Sequence, residues 1–359
     1  MRPSVRCVSR YAQSDVWKIA AYFVVSLLLG AVLAPWIYNF GMGIAEVTEG
    51  KDTNSLVSWL GAAARRSQDN FPRFFDRSVL FSALLLLGPL VAWLRLGRGK
   101  PSCGDWSLYI PENAAGRPGQ RLAKNRRGPV ELLFGFMLAA GLLLVSGWLL
   151  TTAGFFVWRD AGASARGWVN PLVTEIKWGS VIRRALIAAT IVAVIEEFLF
   201  RGVLLGIFLR AMQPAAAIVS LSVLFAAVHF LEPPRGATVP DPEALDAGFV
   251  LLGQILHHFI DPLALAGRFF SILAVGLVLA VARYRTASLW LPIGLHAGWI
   301  FAYQVFKGAT WPVAQLPASS KLLVGSTILE GLVPLGLAVV TGMLVMAMTE
   351  RRKNLPGHG

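Results

Sequence analysis

The sequence predicts an all-α protein, a multi-pass transmembrane helical bundle of about eight spans. Three observations carry this prediction. The 359-residue chain is 55% hydrophobic with a mean hydropathy of +0.60, and only 15% of its residues are charged, against about 25% in soluble proteins. Apolar runs of about 20 residues recur along its length, long enough to cross a bilayer core of roughly 30 Å. Most of these helices are therefore expected to face lipid.

The apolar runs predict eight spans. They lie at 17–40, 79–96, 132–158, 181–209, 214–231, 266–282, 288–306 and 322–348. Between the second and third spans, residues 97–131 are rich in Gly, Pro and Arg and predict a loop. The segments 41–78 and 232–265 are predicted as longer loops on the opposite side of the membrane.

The formal charge of +13 indicates membrane topology and not nucleic-acid binding. With a cytoplasmic N-terminus, 19 of the 33 Lys and Arg residues fall on the inner side, but only five of the 20 acids. Because basic residues collect in cytoplasmic loops, both termini are predicted to lie in the cytoplasm and the chain in the plasma membrane. Cys7 and Cys103 would then face a reducing compartment, unpaired.

The fourth predicted span carries adjacent carboxylates near its centre, in the stretch "AVIEEFLFRG". A charge at that depth costs about 2.5–3.5 kcal/mol, so Glu196 and Glu197 indicate a functional or ion-paired cluster. Glu197 and Arg201 are four residues apart, which places them on one helix face where they can pair. Glu196 is turned about 100° away, where it can act as a general base. A buried ion pair that locks helices, or a transport site, gives the same pattern.

Two histidines lie in later apolar spans. His229 ends the fifth span, with Phe225 one turn before it, and His296 lies near the middle of the seventh. Pro292 and Gly294 are expected to loosen the helix before His296 and free backbone groups there. A histidine at this depth can donate to a carbonyl oxygen or shuttle a proton, but helix–helix hydrogen bonding explains it as well.

Taken in order, these motifs resemble a known family. E-E-x-x-x-R at Glu196 to Arg201, F-x-x-x-H at Phe225 and His229, and the later His296 are similar to the CPBP family. That family comprises the CAAX proteases and bacteriocin-processing enzymes, also called Abi proteins, and includes the type II CAAX prenyl endopeptidase. The resemblance covers about residues 180–306. We therefore predict a CAAX-protease-like domain at 132–349. It is preceded by an N-terminal membrane region at 1–131, with two spans and a basic cytoplasmic loop, and followed by a cytoplasmic tail at 350–359.

The resemblance implies an intramembrane glutamic endopeptidase. Glu196 would be the base that activates a water, His229 would hold that water, and His296 would stabilise the oxyanion. Glu197 and Arg201 would complete the cluster, and Phe225 would support it.

The sequence departs from the family at one position. Ile300, four residues after His296, stands where the family usually has Asn or Asp. Losing an oxyanion donor can cost about 10²–10³ in rate. Trp299 and Gln304 offer alternative donors on the same helix.

Other functions remain open at this point. The Ile300 substitution favours a non-catalytic or weakly active membrane protein of bacteriocin self-immunity, and mid-membrane carboxylates also serve ion or proton transporters. Two His and two Glu could bind zinc, and His257 and His258 add possible ligands, but the H-E-x-x-H motif is absent and no cofactor or metal is expected.

The expected partners are a peptide or membrane-protein substrate and the lipid bilayer, with no nucleic acid. The substrate sequence and the oligomeric state stay open.

Overall fold

A computed structural model describes most of the chain, and the structural statements below concern that part. It covers residues 10–50, 56–65, 67–94, 128–159, 176–231, 233–234, 236–258, 262–313, 323–324, 327–329 and 331–353. Cys7, Cys103 and nearly all of the predicted loop 97–131 lie outside it.

The described residues are almost entirely helical. The helices are α1 Arg10–Val47, α2 Leu56–Arg65, α3 Phe71–Trp93, α4 Gly128–Thr152, α5 Trp178–Glu197, α6 Leu205–Ala211, α7 Pro214–His229, α8 Ala247–His258, α9 Pro262–Thr286, α10 Trp290–Ala309 and α11 Leu332–Lys353. A π-helical segment, Phe198–Leu204, joins α5 to α6. Two three-residue strands, β1 Phe156–Trp158 and β2 Thr310–Pro312, pair antiparallel.

Four of these helices, α1, α4, α9 and α11, are long and apolar enough to cross a membrane. Large apolar side chains on such helices are open to their surroundings; Met137 is 60% and Met343 59% exposed. Exposed apolar surface on this scale indicates contact with lipid. The predicted all-α membrane fold is therefore confirmed in its class.

The predicted number of about eight spans is not confirmed. The other four predicted spans coincide with α3, with α5 to α6, with α7 and with α10, and none of these meets the length and hydropathy of a span among the described residues. For example, α7 has only 16 residues. The last span begins ten residues later than predicted, at Leu332, because Gly331 in the left-handed region (φ 103°) precedes the helix. The predicted loops 41–78 and 232–265 contain α2 and α8.

The described residues form two compact units. The first comprises those of Met1–Ser102 and Val228–Leu265, and the second those of Cys103–Ala227 and Ala266–Gly359. In the first unit, α1 packs against α2, α3 and α8. Its core includes Phe71, Phe75 and Leu251.

The second unit is built around α10, which packs between α4 and α5. Gly294 and Gly298, one turn apart on α10, lie against the backbone of α4. A methyl group at Gly298 would lie 2.5 Å from the carbonyl oxygen of Phe136, and one at Gly294 would overlap the carbonyl of Leu132. Small residues four apart allow this close helix packing, which is typical of membrane proteins. The expected loosening of α10 is wrong: the helix is continuous from Trp290, and Pro292 lies in its first turn, where a missing amide costs little.

The two strands lie at one end of the second unit. β1 follows α4 and β2 follows α10 directly, so their pairing ties together the ends of these two helices. Phe156 packs edge-on against Phe306 of α10 beneath the strands, with ring centres 4.8 Å apart. Both α4 and α10 therefore end at the same level.

Candidate active site

The glutamate pair lies where α5 passes into the π-helical segment. Glu197 is the last residue of α5, and Arg201 lies in the middle of the segment. The Leu205 amide donates to the Phe200 carbonyl, five residues back, where a regular α-helix would use the Arg201 carbonyl. Short π-helical segments occur often at functional sites.

Glu197 is fully buried and holds two partners on one oxygen. Its Oε1 accepts from Arg201 Nη1 at 2.8 Å and from His296 Nδ1 at 2.8 Å. The arginine bond is the one that the four-residue spacing predicts. Because a carboxylate paired with arginine can only accept, Nδ1 of His296 carries the proton in this bond. Glu197 therefore fixes both the orientation of the imidazole and the proton on Nδ1.

Glu196 lies on the other side of the same imidazole. Its Oε2 is 3.9 Å from His296 Nε2, and its side chain is 27% exposed whereas that of Glu197 is 0% exposed. This distance exceeds a direct hydrogen bond and is one that a single water can bridge. Two consecutive residues thus face the two nitrogens of one ring; the Glu196 side chain is partly exposed, although its Oε2 is itself buried.

Arg201 is held on several sides. Its Nη2 donates to the Gly276 carbonyl of α9 at 3.3 Å, and its guanidinium lies over the Phe225 ring at 4.3 Å. Phe225, which is 1% exposed, also meets the His296 ring edge-on at 6.0 Å. The phenylalanine of the F-x-x-x-H motif therefore packs against both groups bound to Glu197, and acts as a buried support.

Arg283, in the last turn of α9, is buried at 2% exposure. Its Nε donates to the Arg201 carbonyl at 3.3 Å. That carbonyl is the one that the π-type bond of the Leu205 amide leaves without its usual α-helical partner. No motif signals this role; only the position of Arg283 near the end of an apolar helix, shared with Arg285, draws attention to it.

His296 reaches this cluster from the face of α10 opposite the glycine contact. It lies two residues from both Gly294 and Gly298, about 160° around the helix from each. Packing of the glycines on α4 therefore directs His296 toward α5. The "GLHAG" stretch is the sequence signal that reveals this arrangement.

The remaining sequence candidates lie elsewhere. Ile300 is half-buried one turn after His296, and Trp299 packs in the apolar core formed with α4 and α11. Gln304 lines a cavity two turns further along α10, a rise of about 12 Å from His296. His229 is half-buried at the end of α7 and belongs to the first unit. Its part in the site, and a polar cavity shared with Glu196 and His296, stay predictions.

A zinc site was one alternative from the sequence. Within the described ranges, no group of three or more His, Cys, Asp or Glu side chains is arranged to hold a metal ion. His257 is exposed on α8 in the first unit. Metal independence of the reaction stays a prediction.

With the geometry in place, the chain can be compared with known proteins. Residues 177–302 match the type II CAAX prenyl endopeptidase family, Rce1-like. The matched segment covers about a third of the chain and contains the Glu196–Arg201 motif, Phe225, His229 and His296. The resemblance to the CAAX-protease family is therefore confirmed over this segment, and similarity to the Rce1-like family suggests a membrane protease. No curated protein and no solved structure matches the chain.

Proposed function

We propose that this protein is an intramembrane endopeptidase of the CAAX-protease type that hydrolyses peptide bonds with a glutamate-activated water. One observation carries the proposal: His296 lies between an accessible glutamate and a buried one, Glu196 and Glu197, and the buried one is paired with Arg201. Environments that differ this strongly give two neighbouring carboxylates separate roles.

Glu196 is the general base in this mechanism. A water between Glu196 Oε2 and His296 Nε2 lies within reach of both groups. Glu196 removes a proton from this water as its oxygen attacks the carbonyl carbon of the scissile bond, and the proton is later delivered to the leaving amine. By the family resemblance, His229 helps to hold the water.

His296 stabilises the tetrahedral intermediate. Its Nδ1 proton is committed to Glu197, so donation to the oxyanion requires a second proton on Nε2. The imidazolium that carries both protons has a carboxylate on each side. Ile300 has no hydrogen-bonding group, so the donor that the family usually places at this position is missing and the rate is expected to be lower.

The direct test is turnover of a peptide library by the purified full-length protein. Glu196→Gln keeps the size of the side chain and removes its basicity, so we expect cleavage to fall by about 10²–10⁴ with unchanged thermal unfolding. Glu243→Gln, at an exposed position of the first unit, is the matched control and keeps full activity. Equal activity of wild type and Glu196→Gln would exclude Glu196 as the base.

The same peptide distinguishes a glutamate mechanism from a metal-dependent one. We expect a chelator to leave turnover unchanged. If the chelator stops cleavage and added zinc restores it, a metal-bound hydroxide replaces Glu196 as the source of the nucleophile.

Ile300 also supports a second candidate function, a non-catalytic membrane protein that binds partners, as in bacteriocin self-immunity. This function would replace the peptidase if no peptide in the library is cleaved by wild type or by Ile300→Asn, while both bind the same peptides.

A further inference from the structure

A basic cavity lies in the second unit, away from the glutamate cluster. It has a volume of about 280 Å³, close to the lower limit of ligand pockets at roughly 300 Å³. Its lining residues are Arg159, Val181, Arg184, Ala185, Gln304, Lys307 and Gly308. Three of the seven are cationic and none is acidic, so the charge of the lining is complementary to an anion.

Arg159 is fixed in place at the wall of this cavity. Its backbone amide donates to the Ala309 carbonyl at 2.9 Å, and its Nη2 to the Lys307 carbonyl at 2.9 Å. The guanidinium stacks on the ring of Trp311, with Cζ 3.6 Å from the ring centre. Arg159 is therefore pre-organised, which lowers the entropy cost of binding a ligand.

The hydrogen-bonding capacity of Arg159 is not fully used. Its Nε is buried and makes no hydrogen bond within the described part of the chain. An unused buried guanidinium donor is costly, so an anion that reaches it after a small shift of the side chain removes this cost. Arginine binds phosphate strongly because its donors match the phosphate oxygens in a planar fork.

The position of the cavity indicates where the anion comes from. The cavity lies where α4 and α10 end and α5 begins, beside the paired strands. Exposed tryptophans mark this end of the unit: Trp158 is 36% and Trp178 45% exposed. Tryptophan is enriched at the level of lipid headgroups. The cavity is therefore at the membrane surface, where the abundant anion is a phospholipid phosphate.

From this geometry we infer that the cavity binds the headgroup phosphate of an anionic phospholipid, with Arg159, Arg184 and Lys307 as its cationic contacts. Arg184 and Lys307 are exposed side chains that can close over the phosphate. This inference is independent of the proposed peptidase function, because the cavity shares no residue with the glutamate cluster.

The test is lipid binding by the delipidated full-length protein in a neutral detergent. Phosphatidylglycerol is titrated in, and bound lipid per protein is counted by native mass spectrometry. Each surface cation is worth about a fivefold change in affinity for anionic lipid. We expect Arg184→Gln and Lys307→Gln each to bind phosphatidylglycerol about fivefold more weakly. Arg159→Gln also removes the contact to Lys307, so its folding is checked by thermal unfolding first.

Arg183 provides the matched control. It is the exposed neighbour of Arg184, outside the cavity lining, so Arg183→Gln changes the net charge equally and should leave binding unchanged. If Arg183→Gln weakens binding to the same extent as Arg184→Gln and Lys307→Gln, general charge attraction explains the result and the site is rejected.

Two further ligands identify the source of the phosphate. Phosphatidylcholine carries the same phosphate beneath a cationic group and should bind more weakly than phosphatidylglycerol. Inorganic phosphate lacks acyl chains and should bind more weakly still. Inorganic phosphate that binds as tightly as phosphatidylglycerol would make this a site for a soluble anion and overturn the lipid assignment.

Discussion

At the residue scale, Glu196 and Glu197 show how a single residue step, a rotation of about 100° around the helix, separates two chemically identical groups. Glu197 lies on the packed side of α5 and is enclosed by Arg201 and His296, while the side chain of Glu196 stays partly accessible. Substitutions at the two positions should therefore have different effects, on stability at Glu197 and on turnover at Glu196.

Removal of Arg201 should destabilise the protein. Arg201→Gln leaves the Glu197 carboxylate buried without its cation, and breaking a buried pair in this way costs about 3–5 kcal/mol. Thermal or denaturant unfolding in detergent measures this loss. The double variant Glu197→Gln/Arg201→Gln removes both charges and should recover part of the stability. A double variant less stable than Arg201→Gln alone would contradict the uncompensated charge as the cause.

Ile300→Asn should keep or raise peptide turnover. The amide would add a hydrogen-bond donor one turn after His296, and one such donor is worth up to about 10²–10³ in rate. The measurement compares turnover of one cleavable peptide by wild type, Ile300→Asn and Ile300→Val. A gain by the valine variant as well would attribute the effect to packing.

At the element scale, the π-helical segment is braced from outside. Arg283 of α9 donates to the Arg201 carbonyl, which does not accept from the Leu205 amide as it would in a regular α-helix. The segment also places Arg201 within reach of both Glu197 and the Gly276 carbonyl. The geometry of the glutamate cluster therefore depends on α9 as well as on α5 and α10.

Arg283→Gln should lower turnover and stability together. Loss of a charge-assisted hydrogen bond to a buried carbonyl costs about 1.5–3 kcal/mol. Arg285→Gln is the matched control, because Arg285 is only half-buried and contacts Thr349 and Glu350 at the end of α11. Equal effects of the two variants would show that Arg283 has no special part in holding the segment.

The α4–α10 contact should be sensitive to side-chain size at Gly298. Gly298→Val forces the two backbones apart, which costs about 1–3 kcal/mol and displaces His296 from Glu197. A shift of 1 Å can cost about 10²-fold in rate. Gly141→Val on α4 is the control, because no atom lies within 4 Å of a methyl group there. The prediction fails if both variants keep wild-type turnover.

The sequence predicted the local part of the site but not its assembly. Four-residue spacing was sufficient to predict the Glu197–Arg201 pair. By contrast, 99 residues separate Glu197 from His296, and only the family resemblance related them. The π-helical segment was not predicted, because a single glycine in an apolar run, here Gly202, occurs in regular membrane helices as well. The burial of Arg283 could not be predicted, because a buried arginine and a loop arginine look alike in a charge count.

At the scale of the whole molecule, the all-α membrane fold class was predicted from the sequence. The predicted number of spans was not confirmed. Apolar composition identifies α1, α4, α9 and α11 directly. Among the described residues, α5 to α6 and α10 do not qualify as spans, although the apolar runs predicted a span at each.

The predicted topology can be tested with the two native cysteines. With both termini in the cytoplasm, Cys7 and Cys103 should resist a membrane-impermeant maleimide in intact cells and react after lysis. Ser320→Cys, in a variant with both native cysteines changed to serine, should be labelled from outside. Outside labelling of Cys103 would overturn the predicted orientation.

The cluster around His296 also has a consequence for charge balance within the bilayer. With His296 doubly protonated, its charge and that of Arg201 equal those of the two glutamates, so the four side chains are neutral together. When Glu196 takes the proton of the attacking water, the four carry one positive charge as the substrate gains one negative charge. The reaction then moves charge over a few ångströms without adding net charge to a region of low dielectric constant, where an isolated charge is most costly.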